Sequence, residues 1–190
     1  MKNFWIIFDL VLSVFLGFYI NLHITSNLVA HFFSGYNSVY ILEFYLFLIM
    51  QILLIFSMIR LFKNKKIDRN LFRVIIGVYA LLMIVLLFGR QVMDTTINLN
   101  PIDLIKFKDK STFLQNILNI IFFFPIGYLI KNIDLKKAIP YSLIGIFSIE
   151  LIQLVTRRGF FDIDDIILNM IGIFICYYVS KKFKLELVSK

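Results

Sequence analysis

The apolar positions of this chain are grouped in long runs, and short polar or basic segments separate the runs. A helix needs about 20 mostly apolar residues to cross a bilayer, and six stretches meet or nearly meet that length. Strands of a membrane barrel would instead alternate apolar and polar residues in short segments. The pattern therefore predicts an all-α, polytopic membrane helix bundle with about six transmembrane helices, near residues 4–24, 39–61, 71–89, 113–131, 139–156 and 164–180.

The composition supports a membrane-embedded chain. Sixty per cent of the 190 residues are hydrophobic and 17% are charged, whereas a soluble domain of this size would need more polar surface. The first run is longer than the roughly 7–15 residues of a signal-peptide core, which predicts a retained span. We expect residues 1–70 to form two N-terminal helices and a basic cytoplasmic loop, and residues 71–190 to form a four-helix core with a basic tail.

The distribution of basic residues predicts the orientation. The net charge is +8, and the 20 Lys and Arg residues lie mainly in the short segments between apolar runs. If the N-terminus is cytoplasmic, fourteen of these residues fall on the cytoplasmic side, and the positive-inside rule favours both termini there. No nucleic-acid-binding motif accompanies the basic residues, so membrane topology explains them better than nucleic acid does.

In this orientation, hydrogen-bonding side chains collect at the outer ends of the last four predicted spans. Asn116 and Asn119 are three residues apart, as are Glu150 and Gln153, so each pair shares one helix face. An ionisable residue such as Glu150 inside the bilayer costs about 3 kcal/mol or more unless it is paired or protonated. The candidate site residues are Glu150, Gln153, Asp165, Asn169, Asn116, Asn119, Arg158, Asp162, Asp164 and Arg90.

Several of these residues also have a purely structural interpretation. Asp162 can cap the last helix, which stabilises a helix by about 1 kcal/mol, and Arg158 can complement the dipole of the preceding helix. The amides can join neighbouring helices, at about 0.6 kcal/mol for each hydrogen bond. A functional role is favoured for Glu150 and Asp165, and less so for Asp9 and Glu43, which lie nearer helix ends and can snorkel.

The fourth predicted span carries a helix-breaking signal, and other chemistry has little support. Pro125 lies in mid-span, where it predicts a kink, and Gly127 permits the close approach of a neighbouring helix. The single Cys176 cannot form an internal disulfide, and His23 with His31 is a poor zinc site. No phosphate-binding loop or nucleophile motif is present.

The polar positions, taken in order, form a recognisable series. The segment NLNPI is followed by NILNIIFFFPIG, then by IELIQ, and finally by RGFFDIDDIILNMIG. In this order and spacing the motifs resemble the VanZ-like family of bacterial membrane proteins, over residues 71–180. The resemblance implies a multi-pass protein of the bacterial cytoplasmic membrane. It also implies a link to resistance against teicoplanin, a glycopeptide that binds cell-wall precursors outside that membrane.

Three functions are compatible with these residues. The protein could bind a lipoglycopeptide or a cell-wall lipid precursor at the outer leaflet, with the lipid bilayer as its surroundings and phenylalanines around the polar cluster. It could instead be an intramembrane enzyme with Glu150 and Asp165 as an acid/base pair, or with the two carboxylates holding a divalent cation as cofactor. Thirdly, the cluster could only lock helices together. Neither the oligomeric state nor any catalytic step follows from the sequence.

Overall fold

The computed structural model describes residues 2–25, 37–89, 96–101 and 110–184, which are almost entirely helical. The elements in chain order are α1 (Lys2–Ile20), a π-helical turn (Asn21–Thr25), α2 (Asn37–Asn64), α3 (Arg69–Phe88), β1 (Ile97–Asn98), α4 (Lys110–Phe122), α5 (Phe124–Leu129), α6 (Leu135–Thr156), β2 (Phe161–Asp162) and α7 (Ile163–Lys182). The prediction of an all-α membrane fold is confirmed.

Five segments of the described chain are long and apolar enough to cross a bilayer: Phe4–Thr25, Phe44–Asn64, Arg69–Phe88, Leu135–Thr156 and Ile163–Lys182. The remaining predicted span, the fourth at 113–131, contains a shorter apolar stretch, Gln115–Leu129. Its helix is interrupted at Phe123, and Pro125 stands in the first turn of the new helix. Proline is tolerated there because the first backbone amides of a helix have no intrahelical partner. The predicted kink is thus a break between α4 and α5.

Contacts divide the chain into two compact units. The N-terminal unit comprises Met1–Gln91 with Glu186–Lys190, and the C-terminal unit comprises Val92–Leu185. The predicted boundary at residue 70 differs from this division, because α3 packs against α2 in the N-terminal unit. The assignment of residues 71–190 to one functional core stays a prediction.

In the N-terminal unit, α1 and α2 pack closely along a face that carries polar residues. A Cβ at Gly17 would lie 2.7 Å from the Ile52 side chain, so the glycine permits this approach. Asp9 is only 1% exposed, and its carboxylate accepts a hydrogen bond from Lys63 Nζ at 2.6 Å. The Asp9 carboxylate is therefore buried beside a lysine from the end of α2 and does not reach solvent.

In the C-terminal unit, α7 is the central helix, and α4, α5 and α6 each pack against it. Two glycines make the approach possible. A Cβ at Gly172 would overlap the carbonyl oxygen of Ile120, and a Cβ at Gly127 would overlap the carbonyl oxygen of Ile173. The close neighbour predicted for Gly127 is thus α7. Close backbone packing of this kind is how helices associate in lipid, where apolar burial gives little driving force.

The two ends of the C-terminal unit are tied in different ways. At the end where α5 leads to α6, Tyr177 donates a hydrogen bond to the Ile133 carbonyl at 2.8 Å, and Lys181 donates to the Tyr177 hydroxyl at 3.0 Å. At the other end, α6 ends at Arg157, which adopts a left-handed conformation with φ of 56°. The chain then turns directly into β2 and α7, so the C-terminal end of α6 lies beside the N-terminal end of α7.

A two-residue parallel pairing of β1 with β2 also lies at this second end, and the sequence did not predict it. Ile97 pairs with Phe161, and Asn98 pairs with Asp162. Phe161 is buried and packs edge-on against Phe147 of α6, with the ring centroids 5.5 Å apart. This bridge fastens the segment before α4 to the turn between α6 and α7.

Candidate functional site

One face of α6 changes from apolar to polar along its length. Its buried residues are spaced three or four apart, as one helix face requires, and they are Ala138, Ser142, Ile146, Glu150 and Gln153. Glu150 is 2% exposed, so the carboxyl group lies inside the helix bundle. The predicted shared face of Glu150 and Gln153 is present, and it is buried against the rest of the C-terminal unit.

The start of α7 is organised by Asp162. Its carboxylate accepts the backbone amide of Asp164 at 2.9 Å, which is the expected N-cap interaction. Each oxygen of the same carboxylate also accepts a hydrogen bond from Asn98 Nδ2, at 3.3 Å. Asp162 thus caps α7 and also fixes the β1–β2 bridge. The side chain of Asp164, in the first turn of α7, is buried.

A second carboxylate–amide contact joins α7 to α4. Asn119 Nδ2 donates to Asp165 Oδ1 at 2.5 Å. One turn further along α7, Asn169 is 3% exposed, and its Oδ1 is buried without a hydrogen-bond partner among the described residues. A buried polar atom of this kind is costly unless a further molecule satisfies it. The Asn169 oxygen is therefore a buried acceptor that the described residues leave without a donor.

These side chains lie immediately beyond an apolar cavity of about 190 Å³ in the C-terminal unit. Phe123 of α4–α5, Ile146 of α6 and Ile173 of α7 all line it. Four residues from each of these lining residues, in the direction of the loop between α6 and α7, the same helix carries a polar residue. The three polar residues are Asn119, Glu150 and Asn169. We define the polar layer as these three residues with two neighbours on the same helices: Asn119, Glu150, Gln153, Asp165 and Asn169.

The other predicted site residues lie around this layer or outside the described segments. Arg158 is half-buried, and its backbone amide donates to the Gln153 carbonyl at 2.9 Å, which places the arginine at the end of α6. Asn116 is half-buried on α4, one turn before Ile120. Arg90 lies outside the described residues, so its predicted place in the site stays a prediction. Among the predicted site residues, the structure brings Asn119 of α4 and Asp165 of α7 into direct contact, and their role in a site stays a prediction.

The described residues do not form a group of three or more His, Cys, Asp and Glu side chains that could hold a metal ion. A cation on Glu150 and Asp165 would need further ligands, because Mg²⁺ and Ca²⁺ take six or more oxygen ligands. His23, the described member of the histidine pair, packs against Tyr19, with ring centroids 4.5 Å apart.

Three features of the site were missed from the sequence. The β1–β2 bridge is too short to give a strand pattern. Gly159 lies against the Gln153 side chain, where a Cβ would stand 3.3 Å from Gln153 Cβ, and only its place in a turn signals this contact. The cavity could not be predicted from the sequence, because the isoleucine and phenylalanine residues that line it are also typical of surfaces that face lipid. The polar sites were readable because such residues are unusual in a span.

Comparison with known families gives one result. A family model described as VanZ/LLP1 matches residues 42–184, so the match starts within α2 and continues through α7. It extends further towards the N-terminus than the resemblance noted over residues 71–180. Comparisons with curated proteins and with solved structures returned no significant match. Because the family match covers most of the chain and includes every residue of the polar layer, the chain belongs to the VanZ/LLP1 family.

Proposed function

We propose that this protein binds an amphiphilic molecule of the cell envelope at the outer leaflet of the bacterial cytoplasmic membrane, and that it protects the cell against teicoplanin-like lipoglycopeptides. The bound molecule is either the antibiotic or a cell-wall lipid precursor. In this proposal both termini are cytoplasmic, so the polar layer is placed near the outer surface. The positive-inside distribution of Lys and Arg supports that orientation.

The observation that carries the proposal is the buried amide oxygen of Asn169, which has no hydrogen-bond partner within the described segments. It lies on α7, one helical turn from Asp165 and on the same face of the helix. If the layer served only to lock helices together, its polar atoms would be expected to satisfy one another. A binding site explains an unsatisfied acceptor better, because a ligand supplies the donor.

The proposal is tested by measuring antibiotic susceptibility in a sensitive Gram-positive host. The wild type, Glu150→Gln and Asp165→Asn are expressed at matched membrane levels, and teicoplanin is titrated beside vancomycin. Asp134→Asn is the matched control: it makes the same change from acid to amide at an exposed residue whose side chain makes no cap hydrogen bond. We expect the wild type and Asp134→Asn to protect selectively against teicoplanin, and the two layer variants to lose protection.

Two results would contradict the proposal. If the wild type protects against neither drug, the resistance function is wrong for this protein. If both layer variants protect as well as the wild type, the polar layer is not where the function resides. Should either variant fail to accumulate, Asn169→Leu replaces it, because removing an unpartnered group is not expected to unfold the protein.

A further inference from the structure

The apolar cavity of the C-terminal unit lies between α5 and α6, where both helices pack against α7. Its lining is hydrocarbon and aromatic except for Tyr141 and Ser142. Apolar cavities of this size stay dry and take up apolar molecules rather than water. Since α6 has the length and composition of a membrane span, the molecules that surround the cavity are lipid chains.

The polar layer lies one helical turn beyond the lining of this cavity. Asn119, Glu150 and Asn169 each stand one helical turn from a residue of the cavity lining, on three different helices. Along each helix, side chains therefore change from apolar to hydrogen-bonding over a short distance, as a lipid changes from its chain to its head group.

The polar layer also restricts the head group. An ionised phosphate group only accepts hydrogen bonds, so it cannot supply the donor that the Asn169 oxygen lacks. The Asn169 oxygen needs a donor, whereas the nitrogen of the same side-chain amide can itself donate. Hydroxyl groups both donate and accept, while an ammonium group only donates. Sugar hydroxyls therefore match the mixture of groups better than an amino head group does.

We infer that the C-terminal unit binds a glycosylated lipid, with one hydrocarbon chain in the cavity between α5 and α6 and the sugar against the polar layer. This inference rests on the proposed function and narrows its ligand class. It also assigns a role to Gly145, which lines the cavity and around which an added Cβ would find no atom within 4 Å. A larger side chain at that position enters the space that the lipid chain occupies.

The full-length protein in phosphatidylglycerol nanodiscs is photolabelled with a monoglucosyl diacylglycerol that carries a diazirine in one acyl chain. The same diacylglycerol without glucose, and a phosphatidylethanolamine with the same chain, are the comparison probes. Mass spectrometry locates the label. We expect the glucolipid to label α5 and α6 in preference to both other probes. Gly145→Phe should reduce this labelling to background, and Asn169→Leu should reduce only the preference for glucose, by roughly threefold to tenfold, as loss of one hydrogen bond does.

Gly77→Phe is the matched control, because an added Cβ at Gly77 of α3 also meets nothing within 4 Å. It should leave the labelling of α5 and α6 unchanged. If Gly145→Phe is poorly folded by its thermal transition, Gly145→Leu is used in its place. Unchanged labelling in a folded Gly145 variant overturns the cavity assignment. Equal labelling by all three probes, or a preference for phosphatidylethanolamine, overturns the sugar assignment.

The two proposals fail in different ways. A folded Gly145→Phe protein that loses lipid labelling but still protects against teicoplanin overturns the lipid site as the source of protection, and the proposed function stands. A wild-type protein that labels selectively but gives no protection overturns the proposed function, and the glycolipid site stands.

Discussion

The two units place carboxylates inside the membrane by different means. In the N-terminal unit, Asp9 is paired with the cation of Lys63. In the C-terminal unit, Asp165 accepts a hydrogen bond from the amide of Asn119, and Asp162 accepts one from Asn98. A cation neutralises the carboxylate it touches, and a side-chain amide orients the carboxylate to which it donates. The pair of Asp9 with Lys63 joins two helices of the N-terminal unit, whereas the contact of Asn119 with Asp165 belongs to the polar layer, for which a binding role is proposed.

The largest loss of stability is expected at the close helix contacts of the C-terminal unit. In Gly172→Ala the new methyl group would overlap the Ile120 carbonyl, which is backbone and cannot move aside alone. We expect a loss of at least about 3 kcal/mol, at the upper end of overpacking costs. The measurement is the yield and thermal stability of the purified protein. Gly145→Ala makes the same change in open space, and an equal loss there would contradict the packing account.

The ion pair of the N-terminal unit gives the next largest effect. Lys63→Met leaves Asp9 buried without its cation, and loss of one partner of a fully buried pair costs about 3–5 kcal/mol. Lys63 is 45% exposed, so water screens the pair and we expect about 1–3 kcal/mol. In the double variant with Asp9→Leu the loss should be partly recovered. Thermal unfolding of the wild type, the two single variants and the double variant measures the coupling energy between Asp9 and Lys63. If the two single effects simply add, the pair does not hold α1 and α2 together.

Asp162 is expected to have a smaller effect, because its contacts are partly exposed. Asp162→Ala removes the N-cap of α7, which costs about 1 kcal/mol, and also releases the Asn98 side chain. We expect a total loss of about 1–2 kcal/mol by thermal unfolding. Asp68→Ala removes the comparable cap of α3 in the N-terminal unit, which has no such second contact. If Asp162→Ala lowers the stability no more than Asp68→Ala does, the contact of Asp162 with the β1–β2 bridge contributes nothing to the stability.

The same contrast explains what the sequence could and could not predict. Long apolar runs located five spans, and Pro125 located the break before α5, because both effects are local properties of the chain. Glu150 and Asn169 were identified because polar groups in a span are costly and therefore noticeable. The partner of Asp9 was missed, since Lys63 is 54 residues away and belongs by pattern to a basic loop. The approach of Gly172 to Ile120 likewise depends on how two helices cross.

The smallest effect on stability is expected at Asn169, and it separates the two kinds of polar contact most clearly. Asn169→Leu removes an amide whose oxygen has no partner in the described part of the chain, so the free energy of unfolding should change by less than about 1 kcal/mol in the ligand-free protein. Protection against teicoplanin should nevertheless fall, because the variant lacks the acceptor to which the proposed ligand would donate. In Lys63→Met the order is reversed: stability falls while the polar layer keeps its side chains. Thermal unfolding and teicoplanin susceptibility, measured on both variants at matched membrane levels, decide the matter. A large loss of stability in Asn169→Leu would mean that the polar layer, like the pair of Asp9 with Lys63, holds helices together.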